Sequence, residues 1–176
     1  MTSTSKAKQT WLQRIAAWVR QLLVFLFLAL IITTTMDWWR GKDIARTNLP
    51  PISATSIQGQ HIDVNALSFQ QPVLVYFWGT WCPVCSFVSP AVNVMADNYA
   101  VVSVAMASGE DAKLNAYLQH HGYEFATIND SQNQIARQWS VQLTPTVMVI
   151  KEGEIKHFTS GFTSLPGMWW RMLVSR

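Results

Sequence analysis

Charge is scarce in this chain. Only 13% of its 176 residues are Asp, Glu, Lys or Arg, about half of the ~25% usual for globular domains. The formal net charge of +3 is mild. No basic stripe runs along any stretch, which excludes a nucleic-acid binder held by phosphate contacts. Cysteine is scarcer still. The two residues present, Cys82 and Cys85, leave none for structural bridges, so this is not a disulfide-stapled scaffold. The same shortage excludes structural zinc, because one Cys-x-x-Cys needs a second ligand pair. The four histidines, His61, His120, His121 and His157, lack paired metal-ligand spacing. The seven methionines form no Met-x-x-Met cluster, which argues against a dedicated copper carrier. No internal repeat is present, and no low-complexity segment beyond the N-terminal leader.

What is abundant is apolar surface, at 49% of residues. No acid occurs before Asp37, and the run from Gln21 to Met36 carries no charge at all. Extended to Trp39 it reaches about the ~20 residues that a spanning helix needs. Trp11 and Trp18 precede it and Trp38-Trp39 follow it, positions that suit the two interfacial belts. Thr33-Thr34-Thr35-Met36-Asp37 is not a small-residue cleavage site, so an uncleaved anchor is expected rather than a signal peptide. Lys6, Lys8, Arg14 and Arg20 lie before the run, and the charges after it are partly offset by Asp37 and Asp43. The positive-inside rule then puts the N-terminus in the cytoplasm and the bulk of the chain outside it, where disulfide chemistry is permitted. The expected organisation is a cytoplasmic segment at 1–20, an anchor at 21–39, a linker at 40–51 and one domain at 52–176.

Within that domain, Ile52–Ile57 and His61–Val64 flank a glycine turn and read as a hairpin. Ser68–Pro72 reads as a loop. Val73–Trp78 is a continuous apolar run of strand length, as expected of a strand covered on both faces. After Trp81-Cys82-Pro83-Val84-Cys85, the residues Val84, Phe87, Val88, Ala91 and Met95 recur at helical spacing. A strand at Val101–Met106, a helix carrying Leu114, Tyr117, Leu118 and His121, and a strand at Tyr123–Ile128 come next. Asn129-Asp130-Ser131 can cap a short helix. The chain closes with a hairpin at 147–159 and a helix faced by Leu165, Met168, Trp169 and Met172. Alternating strands and helices followed by a hairpin and a helix predict an α/β fold with a mixed sheet.

Cys82 and Cys85 stand where strand gives way to helix. The thiolate is the nucleophile in disulfide exchange, and a helix N-terminus offers free N–H donors and the positive end of the dipole. Cys82 is therefore the candidate nucleophile. Cys85, inside the helix where burial favours the neutral thiol, is the candidate resolving cysteine. Trp81 either packs in the core or covers the motif and meets apolar substrate.

Together, the strand with Trp81-Cys82-x-x-Cys85, Pro90 five residues on, Thr144-Pro145 before a strand, and the terminal hairpin and helix resemble the thioredoxin superfamily. The N-terminal hairpin and the strand–helix material around 107–131 resemble its TlpA/DsbE-like branch. Phe77–Cys85, Ala107–Asp111 and Gly161–Ser164 are similar to the membrane-anchored protein D group of suppressor-for-copper-sensitivity proteins. The resemblance implies a thioredoxin-like fold with an N-terminal hairpin extension and no cofactor beyond a redox-active Cys82–Cys85 disulfide. It also implies a cis Thr144–Pro145 bond beside the pair, with Thr144 and Pro145 offering backbone to a substrate chain. Thioredoxins proper carry a buried acid six residues before the first cysteine. Tyr76 occupies that position here. Glu124 is a candidate proton relay on an adjacent strand, or an exposed surface glutamate.

The expected function is a protein thiol-disulfide oxidoreductase at the bacterial inner membrane, single-pass, with its catalytic domain periplasmic. It would reduce protein disulfides and be recharged by a membrane electron carrier. A disulfide-forming oxidant, a haem-maturation reductase and a non-catalytic metal- or client-binding module share the same residues.

Overall fold

In the computed structural model, the residues described are Ser3–Gly41 and 47–176. They fall into two units that divide after Arg40. The first is a helix, α1 (Ser3–Gly41). Its described apolar side chains, among them Leu22, Leu23, Val24, Phe25, Leu26, Phe27 and Leu28, are all exposed. Among the described residues no helix is long and apolar enough to cross a membrane. The span expected at 21–39 includes Leu30, Thr33, Thr34 and 36–39, whose side chains lie outside the described set. Residues 42–46 of the linker expected at 40–51 lie outside the described residues as well.

The second unit is built on a five-stranded sheet. Its strands are β3 (Val73–Trp78), β4 (Ala100–Met106), β5 (Ala126–Asp130), β6 (Thr146–Lys151) and β7 (Glu154–Ser160), in the order β5-β4-β3-β6-β7. β3 runs parallel to β4 and antiparallel to β6. β4 and β5 are parallel, and β6 and β7 form a hairpin. A mixed sheet of this kind is what the alternating pattern predicts. Every residue of β3 is buried, which explains why its sequence is apolar without alternation.

Side chains of β3 still divide by pleat. Val73, Val75 and Phe77 enter one core with Met106, Met148 and Trp139. That face is covered by the hairpin β1 (Ser53–Thr55) and β2 (His61–Asp63) and by α5 (Gln134–Gln138), with Ile52, Ile62 and Ala136 packed into it. Leu74, Tyr76 and Trp78 enter the other core. There they meet α3 (Cys85–Ala96), α4 (Asp111–His121) and α6 (Leu165–Val174) through Val88, Val92, Met95, Leu114, Leu118, Met168 and Met172.

Several boundaries differ from the sequence reading. Residues 64–70 form a helix, α2 (Val64–Gln70), where the whole of 68–72 reads as loop. The Asp63 carboxylate caps it by accepting the Ala66 N–H at 2.9 Å, a signal masked by the hairpin that ends on the same residue. On α3 the buried residues are Cys85, Val88, Ser89, Val92 and Met95. The buried stripe is thus rotated from the predicted one, and Phe87 is 73% exposed. β5 begins at Ala126, three residues later than the strand expected from Tyr123, because Gly122 in the left-handed conformation is followed by a connecting segment.

Three buried polar side chains of β3, β4 and β5 are linked in series. Trp78 Nε1–H donates to Ser103 Oγ at 3.1 Å, Ser103 Oγ–H to Thr127 Oγ1 at 2.9 Å, and Thr127 Oγ1–H to the Phe125 carbonyl at 3.1 Å. Asp130 is 5% exposed, and its two carboxylate oxygens accept the Gln134 and Ala136 N–H groups at 2.6 and 2.8 Å. It thereby ties the end of β5 to α5. Asp130→Ala removes both acceptors and leaves the Ala136 N–H buried without a partner, and should destabilise the domain by about 1–3 kcal/mol. A urea midpoint equal to that of the unsubstituted protein would show that the cap contributes nothing.

Candidate active site

The site lies at the carboxyl ends of β3 and β4, where open α/β sheets place their ligands. The antiparallel register sets Thr146 of β6 against Phe77, so the Leu143–Pro145 turn enters at the same end of the sheet. The Gly161 N–H donates to the Pro145 carbonyl at 2.7 Å, which brings the end of β7 there too.

The chain leaving β3 turns tightly. The Cys82 N–H donates to the Gly79 carbonyl at 3.1 Å, and the Thr80 N–H donates to Ser108 Oγ at 3.0 Å. The Trp81 ring is 57% exposed, so it lies at the surface and not in the core. Its indole N–H donates to the Met106 carbonyl at 2.9 Å, which fixes the ring over the end of β4. Gly79 leaves the room for this. A Cβ there would lie 2.6 Å from Trp81 Nε1 and 3.1 Å from the Met106 carbonyl.

Cys82 and Cys85 form a disulfide with Cα atoms 5.3 Å apart. The helix begins at Cys85, later than the sequence suggests, so Cys82 lies in the turn ahead of it. No side-chain oxygen caps this helix. Instead the Cys85 N–H lies 3.2 Å from Cys82 Sγ and 3.2 Å from the Cys82 carbonyl. Cys82 sulfur thus takes the place of a capping oxygen. In the reduced protein a thiolate there gains that donor and the helix dipole, and both favour the charged form. The two sulfurs are not equivalent: Cys82 is 7% exposed and Cys85 1%.

The Thr144–Pro145 peptide is cis. Pro145 is buried and Thr144 half-buried, and no hydrogen bond engages the Thr144 backbone among the described residues. Glu124 is exposed and precedes β5 instead of lying on it. Its backbone N–H donates to Asn93 Oδ1 at 2.7 Å. It therefore corresponds to the surface glutamate, the other reading that the sequence allows, and not to a strand residue beside the pair.

Sequence reasoning missed Ser89, Ser108, Gly79 and Met106. The signal for Ser89 was available, since it lies four residues after Cys85 and so on the same helix face. The contacts of the other three join segments far apart in the chain and leave no local trace. Tyr76 was noticed only for the acid it replaces. Its hydroxyl lies 3.0 Å from Ser89 Oγ and 3.5 Å from the Cys85 carbonyl. Burial pushes its phenol far above the ordinary range, and the Ser89 bond only partly offsets this. No cluster of metal-ligating side chains occurs among the described residues.

A profile of the AhpC/TSA family matches residues 45–158. A thioredoxin-like protein of Haemophilus influenzae is 37% identical over 85% of this chain and 90% of its own length. A thiol:disulfide interchange protein DsbE homolog of Paracoccus denitrificans is 28% identical over 64% of each chain. The crystal structure of StoA from Bacillus subtilis superimposes with a TM-score of 0.62 at 18% identity, covering 69% of this chain and 96% of that one. That likeness establishes the fold.

Gly79→Ala drives a methyl group into the Trp81 indole and the end of β4. It should cost about 1–3 kcal/mol and slow insulin reduction by displacing the turn that carries Cys82. A variant with unchanged melting temperature and unchanged turnover would show that the close approach is not needed.

Proposed function

The chain belongs to the thioredoxin-like AhpC/TSA family and is a thiol-disulfide oxidoreductase; from that premise we propose that it reduces protein disulfides outside the cytoplasm while held at the membrane by residues 21–39. The observation that carries this reading is the asymmetry of the pair. Cys82 caps α3 with its sulfur and keeps 7% of its surface exposed, whereas Cys85 keeps 1%.

In the reduced protein, Cys82 thiolate attacks one sulfur of a substrate disulfide. The substrate S–S bond breaks, a Cys82–substrate bond forms, and the first substrate thiol leaves. Cys85 then attacks Cys82 Sγ, closing the Cys82–Cys85 disulfide and releasing the second substrate thiol. Two electrons and two protons pass from protein to substrate. An electron carrier in the membrane returns them.

The surroundings suit a protein substrate. Trp81, Val84, Phe87, Leu143 and Phe162 are between 42% and 73% exposed, and the topology places all five near the pair. Exposed apolar side chains gathered at one end of the sheet suit an interaction site. The open backbone of Thr144 can pair with an extended substrate segment, and Pro145 can pack against its disulfide. The exposed apolar run on α1, without a polar face, supports the anchor. The positive charges before that run support an N-terminus in the cytoplasm and a domain in the periplasm.

With Cys85→Ala, mixed disulfides should accumulate on Cys82, and with Cys82→Ala they should not. Non-reducing gels of trapped cells decide this, and the reverse pattern would overturn the assignment. For direction, the pair should be mostly reduced at steady state. An oxidised pair in cells, with a potential near the −120 mV end of the known range of about −270 to −120 mV, would make the protein an oxidant. Phe162→Ser should raise KM for a protein disulfide severalfold and leave the reaction with a small aromatic disulfide unchanged. Equal effects on both substrates would remove the docking role.

A further inference from the structure

Beneath the disulfide lies a pair of buried hydroxyls that the redox cycle leaves unused. Tyr76 is fully buried on β3 and Ser89 is 1% exposed on α3. Their oxygens are 3.0 Å apart, and Tyr76 Oη is 3.5 Å from the Cys85 carbonyl. Either hydroxyl can donate to the other. If Ser89 donates, the Tyr76 proton turns to the Cys85 carbonyl. If Tyr76 donates, the Ser89 proton is free for another acceptor. Ser89 follows Cys85 by one helical turn on the same buried face, the spacing at which side chains are neighbours on a helix, so the cycle generates a new acceptor, the Cys85 thiolate, on the face that carries Ser89.

Val88, Val92, Leu74 and Val147 belong to the same core, and its other buried hydroxyls, Ser103 opposite Tyr76 and Thr127 beyond it, are committed to the chain that runs from Trp78 to the Phe125 carbonyl. The titratable groups facing the pair are Cys82 on the preceding turn, Tyr117 from α4 and Tyr123 from the segment before β5. Both phenols are raised by burial. His121 stacks outside them against both rings, and Glu124 is exposed at the surface beside Asn93. Among the described residues the one buried carboxylate is Asp130, which is occupied in capping α5. Cys85 must lose its proton in this core with no base beside it. An isolated charge there is costly without a hydrogen bond.

We infer that the Tyr76–Ser89 hydroxyl pair positions the hydrogen bond that allows buried Cys85 to ionise in the resolving step. This rests on Cys85 being the resolving cysteine. As the thiol ionises, Ser89 turns its O–H to the sulfur, and Tyr76 turns its own to Ser89 Oγ. Cys85 thiolate attacks Cys82 Sγ, the Cys82–Cys85 bond forms, and the Cys82–substrate bond breaks. The substrate sulfur leaves with the electron pair and takes up, through water, the proton that Cys85 released. Neither hydroxyl ends with an altered charge. Both are positioning residues, and they take the place of a carboxylate without acting as a base.

The test uses the reduced full-length protein and Ellman's reagent. The first thionitrobenzoate released reports attack by Cys82, and the second reports resolution by Cys85. Both are followed by stopped flow between about pH 5 and about pH 10. Tyr76→Phe and Ser89→Ala should each slow the second release about tenfold near neutral pH. They should do so by moving its profile to higher pH, with the plateau at high pH and the first release unchanged. The double variant should be no slower than the slower single variant, and Ser89→Thr, which keeps a hydroxyl, should restore the profile. If Cys85→Ala still releases the second thionitrobenzoate at the original rate, the role of Cys85 itself fails. If Cys85→Ala traps the adduct while Tyr76→Phe and Ser89→Ala keep the original profile, the hydroxyl pair has no such role. A lowered plateau with an unmoved profile is the mark of a merely structural contact and also overturns the inference.

Discussion

The double pairing of β3 is the constraint on which the rest of the domain depends. β3 is hydrogen-bonded to β4 on one side and β6 on the other, and it is buried along its whole length. Such a strand cannot slip by one residue without exchanging its two faces. The register therefore fixes which side chains meet α3, and Tyr76 is among them. It also fixes where the chain emerges, and with it the turn that carries Trp81 and Cys82. The neighbouring segments supply the other parts of the site at the same end: the Met106 carbonyl at the end of β4, Ser108 two residues beyond it, and the Thr144–Pro145 turn before β6.

Around the disulfide the electrostatics are those of backbone and hydroxyl groups, not of charged side chains. The scarcity of charge seen in the sequence has a local meaning here. Cys82 is served by a helix N-terminus whose N–H it caps with its own sulfur. Cys85 has a tyrosine and a serine nearby and no buried acid in its core. A carboxylate would bring a base to this core and with it the cost of burying a charge. Neutral hydroxyls carry no such cost and can reorient as the sulfur changes state.

The surface around the pair follows from the same turn. Trp81 is held at its N–H end and open on its ring, an arrangement suited to a side chain with one polar and one apolar end. Phe87 points outward because the α3 stripe that packs on the sheet is set by Cys85, Val88, Ser89 and Val92. The burial of Cys85 and the exposure of Phe87 are thus two consequences of one helix rotation.

Much of this could be read from the order of residues alone. Apolar runs marked β3, β4 and β6, interrupted only by Ser103 in β4, because strands covered on both faces need no polar alternation. The Cys82–Cys85 spacing at a strand-to-helix junction marked the redox pair, and the lack of any second ligand pair excluded zinc. Gly122 marked the end of α4 through its left-handed backbone. Local pattern failed where contacts between distant segments took over. It placed Glu124 on a strand, missed α2, and rotated the face of α3. It could register Tyr76 only as a missing acid. That Tyr76 reaches Ser89 and the Cys85 carbonyl depends on the packing of α3 across β3. That Trp81 lies over Gly79 depends on the end of β4 standing beside the turn. Residue type and spacing determined which chemistry the chain carries. Side chains brought together from separate elements decided how that chemistry is supported, because a hydrogen bond between positions far apart in sequence exists only once the sheet has set its register.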